Sequence, residues 1–353
     1  MNSRTFVNER DLDNGERVWA PLAADKDLLT TRANVRVGLY VNTAGGGRVR
    51  PGGSTPLLLI HSINATASAI EMLPIFERQA RRRPVVAIDL PGFGAADRPD
   101  VGYSPEMMQE AIAAAIVWMQ THIAPGPVDL MALSLGCEFA AQTVLRNPQA
   151  VRTLSLISPT GMEEERVDER YEAGRTRAAH AVRVALRSPT IGKGLFAALT
   201  TRAAMRWFLS RSWGGSDFDP RLLEQGRLSA QAVGARHAPL DFVSGALFTR
   251  GIIERYRQLP VPVWVTHGQH GAFNDFSACP TRTGGGLALA SHRVVRTPFN
   301  TGALPHFAQA DEFDGAFENF LAATTQGQRM GYAEPRPVSR HDARRPVAAR
   351  AGA

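Results

Sequence analysis

Cysteine is almost absent: the chain of 353 residues holds two, Cys137 and Cys279. So sparse a supply, so widely spaced, excludes a disulfide framework as the source of stability. Long apolar runs are missing too, and none approaches the roughly 18 residues that a membrane-spanning helix needs. The opening residues, MNSRTFVNERDLDNGER, lack the apolar segment of a secretory leader. The expectation is a cytoplasmic protein without a span. Acidic residues are outnumbered, 33 against 40 Lys and Arg, for a formal charge of +7. That surplus does not point to nucleic acid, because much of it lies after Gln328, where six arginines face only Glu334 and Asp342. Elsewhere arginine is interleaved with acid, as in EEERVDERYEAGRTR (163–177), the pattern of a solvated helix face.

What is abundant is core material, since hydrophobic residues make up 44% and charged residues 21%. These proportions belong to an ordinary globular chain. Five short apolar runs, PLLLIH (56–61), PVVAID (84–89), VDLMAL (128–133), TLSLIS (153–158) and VPVWVTH (261–267), are too uniformly apolar for strands wetted on one side. They predict strands buried on both faces, as in a parallel sheet covered by helices. HRVVRT (292–297) is a weaker sixth. Between them stand helical patterns, the clearest over 105–123, where Met108, Ile112, Ile116, Met119 and Ile123 recur at helical spacing behind a Ser104 cap and Pro105. A second helix follows Ser134 and ends at Asn147 and Pro148. Alternation of this kind predicts an α/β fold with a doubly wound, mostly parallel sheet.

The alternation stops over 162–257, which reads as an inserted helical lid, with Trp207, Phe208, Trp213 and Phe218 as candidates to line a pocket or to form its own small core. The expected division is a core in two parts, 1–161 and 258–324, around that lid, followed by a disordered basic tail over 325–353. An amphipathic helix near 311–323 closes the core.

Chemistry concentrates at DLMALSLGCEF (129–139). A serine between strand-like and helix-like residues, with Ala132 two places before it and Gly136 two places after, is what a tight strand-to-helix turn requires, because backbones pass within touching distance there. The motif ALSLG resembles the nucleophile elbow of the α/β-hydrolase superfamily, with Ala132 at the first glycine position. LLLIHSINATAS (57–68) is similar to that family's oxyanion-hole loop, with Ser62 replacing a glycine. IDLPGFGAADRP (88–99) is similar to its D-x-P-G-x-G-x-S turn, with Ala96 at the serine position.

The resemblance implies a serine hydrolase acting on an ester, thioester or similar small carbonyl substrate. Ser134 would be the nucleophile, with the N–H groups of Leu135 and Ile63 as the oxyanion hole. NTGALPHFAQADEF (300–313) resembles the histidine loop and makes His306 the implied base, with Pro305 where a glycine is usual; His61, His267 and His270 are the other candidates. In HGQHGAFNDF (267–276), Gly271 and Ala272 occupy the usual acid positions, so Asp275 is the implied orienting acid, with Glu163 the alternative. The same resemblance admits a carbon-carbon hydrolase or a cofactor-free haloperoxidase. The missing acid motivates a different reading, a degenerate hydrolase fold used for binding. No cofactor is implied. His267 and His270 have metal-like spacing without an accompanying ligand cluster, and GFGAAD (92–97) lacks the third glycine of a dinucleotide fingerprint. Cys137 reads as a small buried hydrophobe rather than a reactive thiol.

Overall fold

The computed structural model describes residues 22–43, 54–162, 176–270 and 294–329. The chain begins with a hairpin, β1 (Asp25–Thr30) and β2 (Arg36–Asn42), turning at Asn34, whose φ is 57°. Then β3 (Leu57–Ile60), α1 (Leu73–Gln79), β4 (Val85–Ile88), α2 (Pro105–His122), β5 (Val128–Leu133), α3 (Gly136–Arg146) and β6 (Val151–Ile157) follow in strict alternation. Six helices come next: α4 (His180–Arg187), α5 (Pro189–Leu199), α6 (Arg202–Trp213), α7 (Pro220–Gln231), α8 (His237–Val243) and α9 (Ile252–Arg257). The core resumes with β7 (Val263–Gly268) and β8 (Val294–Phe299), and closes with α10 (Pro305–Ala308) and α11 (Ala310–Arg329).

All eight strands form one sheet in the order β1-β2-β4-β3-β5-β6-β7-β8. From β4 to β8 every pairing is parallel, and only β1 and β2 run antiparallel to their neighbours. Each of the five apolar runs lies in this parallel part. HRVVRT contributes to β8 at the edge, where half-exposed side chains account for its weaker signal.

Both faces of the sheet are covered, which is why its middle strands cannot alternate with polar residues. Leu58, Ile60, Leu130, Ala132, Leu154 and Leu156 face Met108, Ile112 and Ile116 of α2 and Phe139 and Val144 of α3. Leu57, Leu59, Met131 and Leu133 face the other way, toward Phe76 of α1 and Phe313, Phe317 and Phe320 of α11. Burial of one such leucine or phenylalanine stabilises by about 1.5–3 kcal/mol. Ser104 caps α2 through its hydroxyl, which accepts from the Met107 N–H at 3.4 Å, and α3 stops at Asn147.

The β1–β2 hairpin lies outside the apolar runs, although Val35, Val37, Leu39 and Val41 alternate as a strand should, and one expectation needs correction. The closing helix runs on through Arg329, so the segment from 325 to 329 is helical rather than disordered; Thr324 and Thr325 continue it by donating hydroxyl bonds to Phe320 O and Leu321 O. Residues 330–353 lie outside the described part.

The chain passes close to itself at Gly136, where a Cβ would lie 2.4 Å from His61 O, a backbone atom. Gly136→Ala is therefore expected to destabilise by about 1–3 kcal/mol. Gly315→Ala, in α11 with open space around it, is expected to stabilise by about 0.5–1 kcal/mol. Chemical denaturation of the two variants checks the opposite signs.

Candidate active site

Ser134 stands between β5 and α3 with φ 53°, a left-handed conformation rare outside glycine. Three features hold it there. Its N–H donates to Ile157 O at 2.8 Å, its carbonyl accepts from Cys137 N–H at 3.0 Å, and Gly136 lets the start of α3 press against the end of β3. Ala132 is fully buried in β5, so the departure from glycine is accommodated. Ser134 itself remains half-exposed, and its hydroxyl has no hydrogen-bond partner among the described residues.

Two backbone donors that the sequence singled out are buried. Leu135 and Ile63 are 1% and 4% exposed, yet neither N–H finds an acceptor among the described residues. Backbone donors in buried residues are nearly always paired, which sets these two apart. The loop carrying Ile63 is held by Glu71, which the sequence did not single out. Its carboxylate accepts from the Ser62 N–H at 2.8 Å and from Asn64 Nδ2 at 2.6 Å. The turn beyond β4 is braced in the same manner by Asp89, which accepts from Tyr40 Oη, Ala69 N–H and Ala95 N–H.

His306 lies on α10, 1% exposed, between Phe307 and Phe313. Its Nε2 is 2.8 Å from Glu71 O. A carbonyl only accepts, so Nε2 carries the proton and Nδ1 holds the lone pair; Nδ1 is enclosed and without a partner. Burial pushes the ring down to about 4, against the opposing effect of the Glu71 carbonyl. No hydrogen bond joins His306 to Ser134. Asp275 and the alternative Glu163 both lie outside the described residues, as do Gly271 and Ala272.

The other histidines have separate partners. His61 accepts from Leu90 N–H at Nε2 and donates from Nδ1 to Ser62 O, which fixes its tautomer. His267 accepts from Arg296, and burial, aided by that guanidinium, lowers its pKa. His270 pairs with Asn300 Oδ1 at 2.5 Å. Cys137 is buried, donates to Ala132 O at 3.1 Å, and is pushed well above the ordinary thiol range by that burial.

The helical insertion rests on the segment before and within α10 and on the loop after β3. Ala303 N–H donates to Ser212 O at 2.6 Å, and the Trp213 ring sits 5.5 Å from Phe307. On the other side, Gly226 of α7 is packed against Thr66 and Met205. Trp207 and Phe208 are 52% and 40% exposed. Phe218 takes the Arg206 guanidinium over its ring.

An open α/β sheet with a strained serine at the carboxyl end of its central strand defines a class of proteins in which ligands sit beyond that strand end. The family model described as alpha/beta hydrolase fold matches residues 55–233, and the chain belongs to that family. A stretch is 30% identical to 2-(acetamidomethylene)succinate hydrolase of Mesorhizobium japonicum, covering 35% of this chain and 43% of that protein. Another is 28% identical to a haloalkane dehalogenase of Agrobacterium fabrum, over 37% and 40% of the two chains. The matched stretches thus span less than half of these curated relatives. A crystal structure of a serine hydrolase involved in carbazole degradation superposes with a TM-score of 0.60 at 16% identity, over 84% of this chain and 98% of that one. No helix among the described residues is long and apolar enough to cross a membrane.

Glu138, four residues after Ser134, is a fully buried carboxyl that ties both ends of the insertion to α3. It accepts from Thr160 Oγ1 at 2.6 Å and from Thr249 N–H at 2.8 Å. Burial pushes it up from 4.5 to about 7, against the pull of those two bonds and of Arg177. A folded-state value above the unfolded one means that its contribution is complete below about pH 4.5 and lost as pH rises through about 7. Glu138→Gln, which can satisfy the same two partners, is expected to remove about 3 kcal/mol of stability loss between about pH 5 and pH 8. Melting curves across that range check it. His306 titrates equally in both proteins, so an identical decline in the two would contradict the assignment.

Proposed function

We propose that the chain is a serine hydrolase that cleaves an ester, thioester or similar small carbonyl substrate through an acyl-enzyme on Ser134. The observation that carries this reading is the pairing of a strained, accessible serine with two unpaired N–H groups in buried residues. Ser134 Oγ bonds to the carbonyl carbon, and the oxyanion settles on the Leu135 and Ile63 donors, each worth about 3 kcal/mol of barrier lowering. Collapse expels the alcohol or thiol and leaves the acyl group on Ser134; water then releases the acid. The serine proton goes to His306, with Asp275 as its orienting carboxylate. For that the ring has to leave the Glu71 carbonyl, since Nδ1 is enclosed. The helices over 176–257 act as a lid, and specificity resides in what they and the two loops enclose.

One observation favours a second reading, a hydrolase fold used for binding alone: among the described residues His306 hydrogen-bonds to Glu71 and not to Ser134. A fluorophosphonate probe separates the two. The enzyme reading expects labelling of the native protein at Ser134, located by peptide mass spectrometry, none with Ser134→Ala, and labelling slowed about a thousandfold by His306→Ala. Absence of labelling under conditions that label a control esterase would leave the binding reading.

A further inference from the structure

Between His180 and Trp213, covering α4, α5 and α6, the chain has six basic residues, Arg183, Arg187, Lys193, Arg202, Arg206 and Arg211, and no Asp or Glu. Two of the six are held by ion pairs: Arg183 with Asp241 of α8, and Arg187 with Asp241 and with Asp100. The other four are exposed and make no ion pair among the described residues. Interleaved with them are the exposed apolar side chains Val182, Val184, Ile191, Trp207 and Phe208. Trp207 lies under the Arg211 guanidinium, 5.7 Å from its ring.

Exposed valine, isoleucine, tryptophan and phenylalanine are costly in water, and scattered singly they mean little. Here they fall in three consecutive helices that carry only positive charge. Apolar and aromatic side chains set among Lys and Arg on surface helices are the chemistry that a membrane interface selects: rings settle at the headgroup level while guanidinium and ammonium groups meet lipid phosphates. A cationic ring of this kind repels basic surfaces, and an acidic protein partner would not account for five exposed apolar side chains as directly.

We propose that helices α4–α6 form a docking surface for an anionic lipid membrane, holding the protein peripherally with the insertion against the bilayer. This surface is independent of what Ser134 does.

The test uses the full chain and sedimentation with phosphatidylcholine vesicles, with and without phosphatidylglycerol. Binding is expected only to the anionic vesicles, weakening as salt rises. Lys193→Gln, Arg202→Gln, Arg206→Gln and Arg211→Gln together are expected to lower partitioning by roughly a hundredfold, and Trp207→Ser with Phe208→Ser by roughly tenfold. Circular dichroism and melting temperature confirm that each variant is folded. Should one fail to fold, quenching by brominated lipid in the unaltered protein, read against Trp207→Phe, reports directly whether Trp207 enters the bilayer. No binding to anionic vesicles overturns the proposal. So does binding that survives both sets of substitutions, which would assign it to the arginine-rich segment after Gln328. Capture by polyglutamate without vesicle binding would overturn it in favour of an acidic protein partner.

Discussion

The left-handed Ser134 is the constraint on which the rest of the site depends. A non-glycine residue at φ 53° costs of the order of 1–3 kcal/mol, and it persists only where its surroundings leave no alternative. Here β5 arrives between two parallel neighbours with every residue buried, and α3 departs directly over the end of β3. The serine bridges those two directions. Relaxing it would break the Ile157 bond, shift α3, and pull the start of that helix away from His61.

From this corner the other features follow by contact. The approach of Gly136 to His61 brings the start of the loop bearing Ile63 against the elbow. Glu71 then links the halves of the site. Its carboxylate shapes the loop of Ser62 and Asn64, while its carbonyl accepts a hydrogen bond from His306 Nε2–H. A single residue thus contacts both the loop bearing Ile63 and the His306 ring. The insertion touches the segment around His306 through Ser212 and Trp213, and Glu138 ties Thr160 and Thr249 to the helix that begins at the elbow. Movement of the insertion and arrangement of the serine are therefore mechanically joined through α3.

Much of the scaffold was legible in the chain itself. Strands buried on both faces announce themselves as solid apolar runs, and a capped helix such as α2 announces itself by Ser104, Pro105 and its spacing. The elbow was legible because close approach demands small residues at fixed offsets. The hairpin of β1 and β2 was less so, since β1 is an edge strand whose side chains are largely exposed. The direction in which His306 points was not legible, because spacing places a residue on a loop without setting its rotamer or its neighbour. Nor could spacing reveal Glu71, whose role comes from contacts with Ser62 and His306, the latter 235 positions away. Trp207 and Phe208 show the same gap: aromatic side chains on a helix read alike whether they face a pocket or solvent. Asp275 falls outside the described residues.

The central claim is that the Ser134 hydroxyl and the amides of Leu135 and Ile63 act on one carbonyl group. A crystal structure of the protein with an aryl boronic acid tests it most directly, because boron becomes tetrahedral only when an activated oxygen bonds to it. The account predicts boron attached to Ser134 Oγ, with one boronate oxygen within hydrogen-bond distance of both N–H groups. A trigonal boronic acid bound elsewhere, or an adduct whose oxygens avoid those donors, would contradict it.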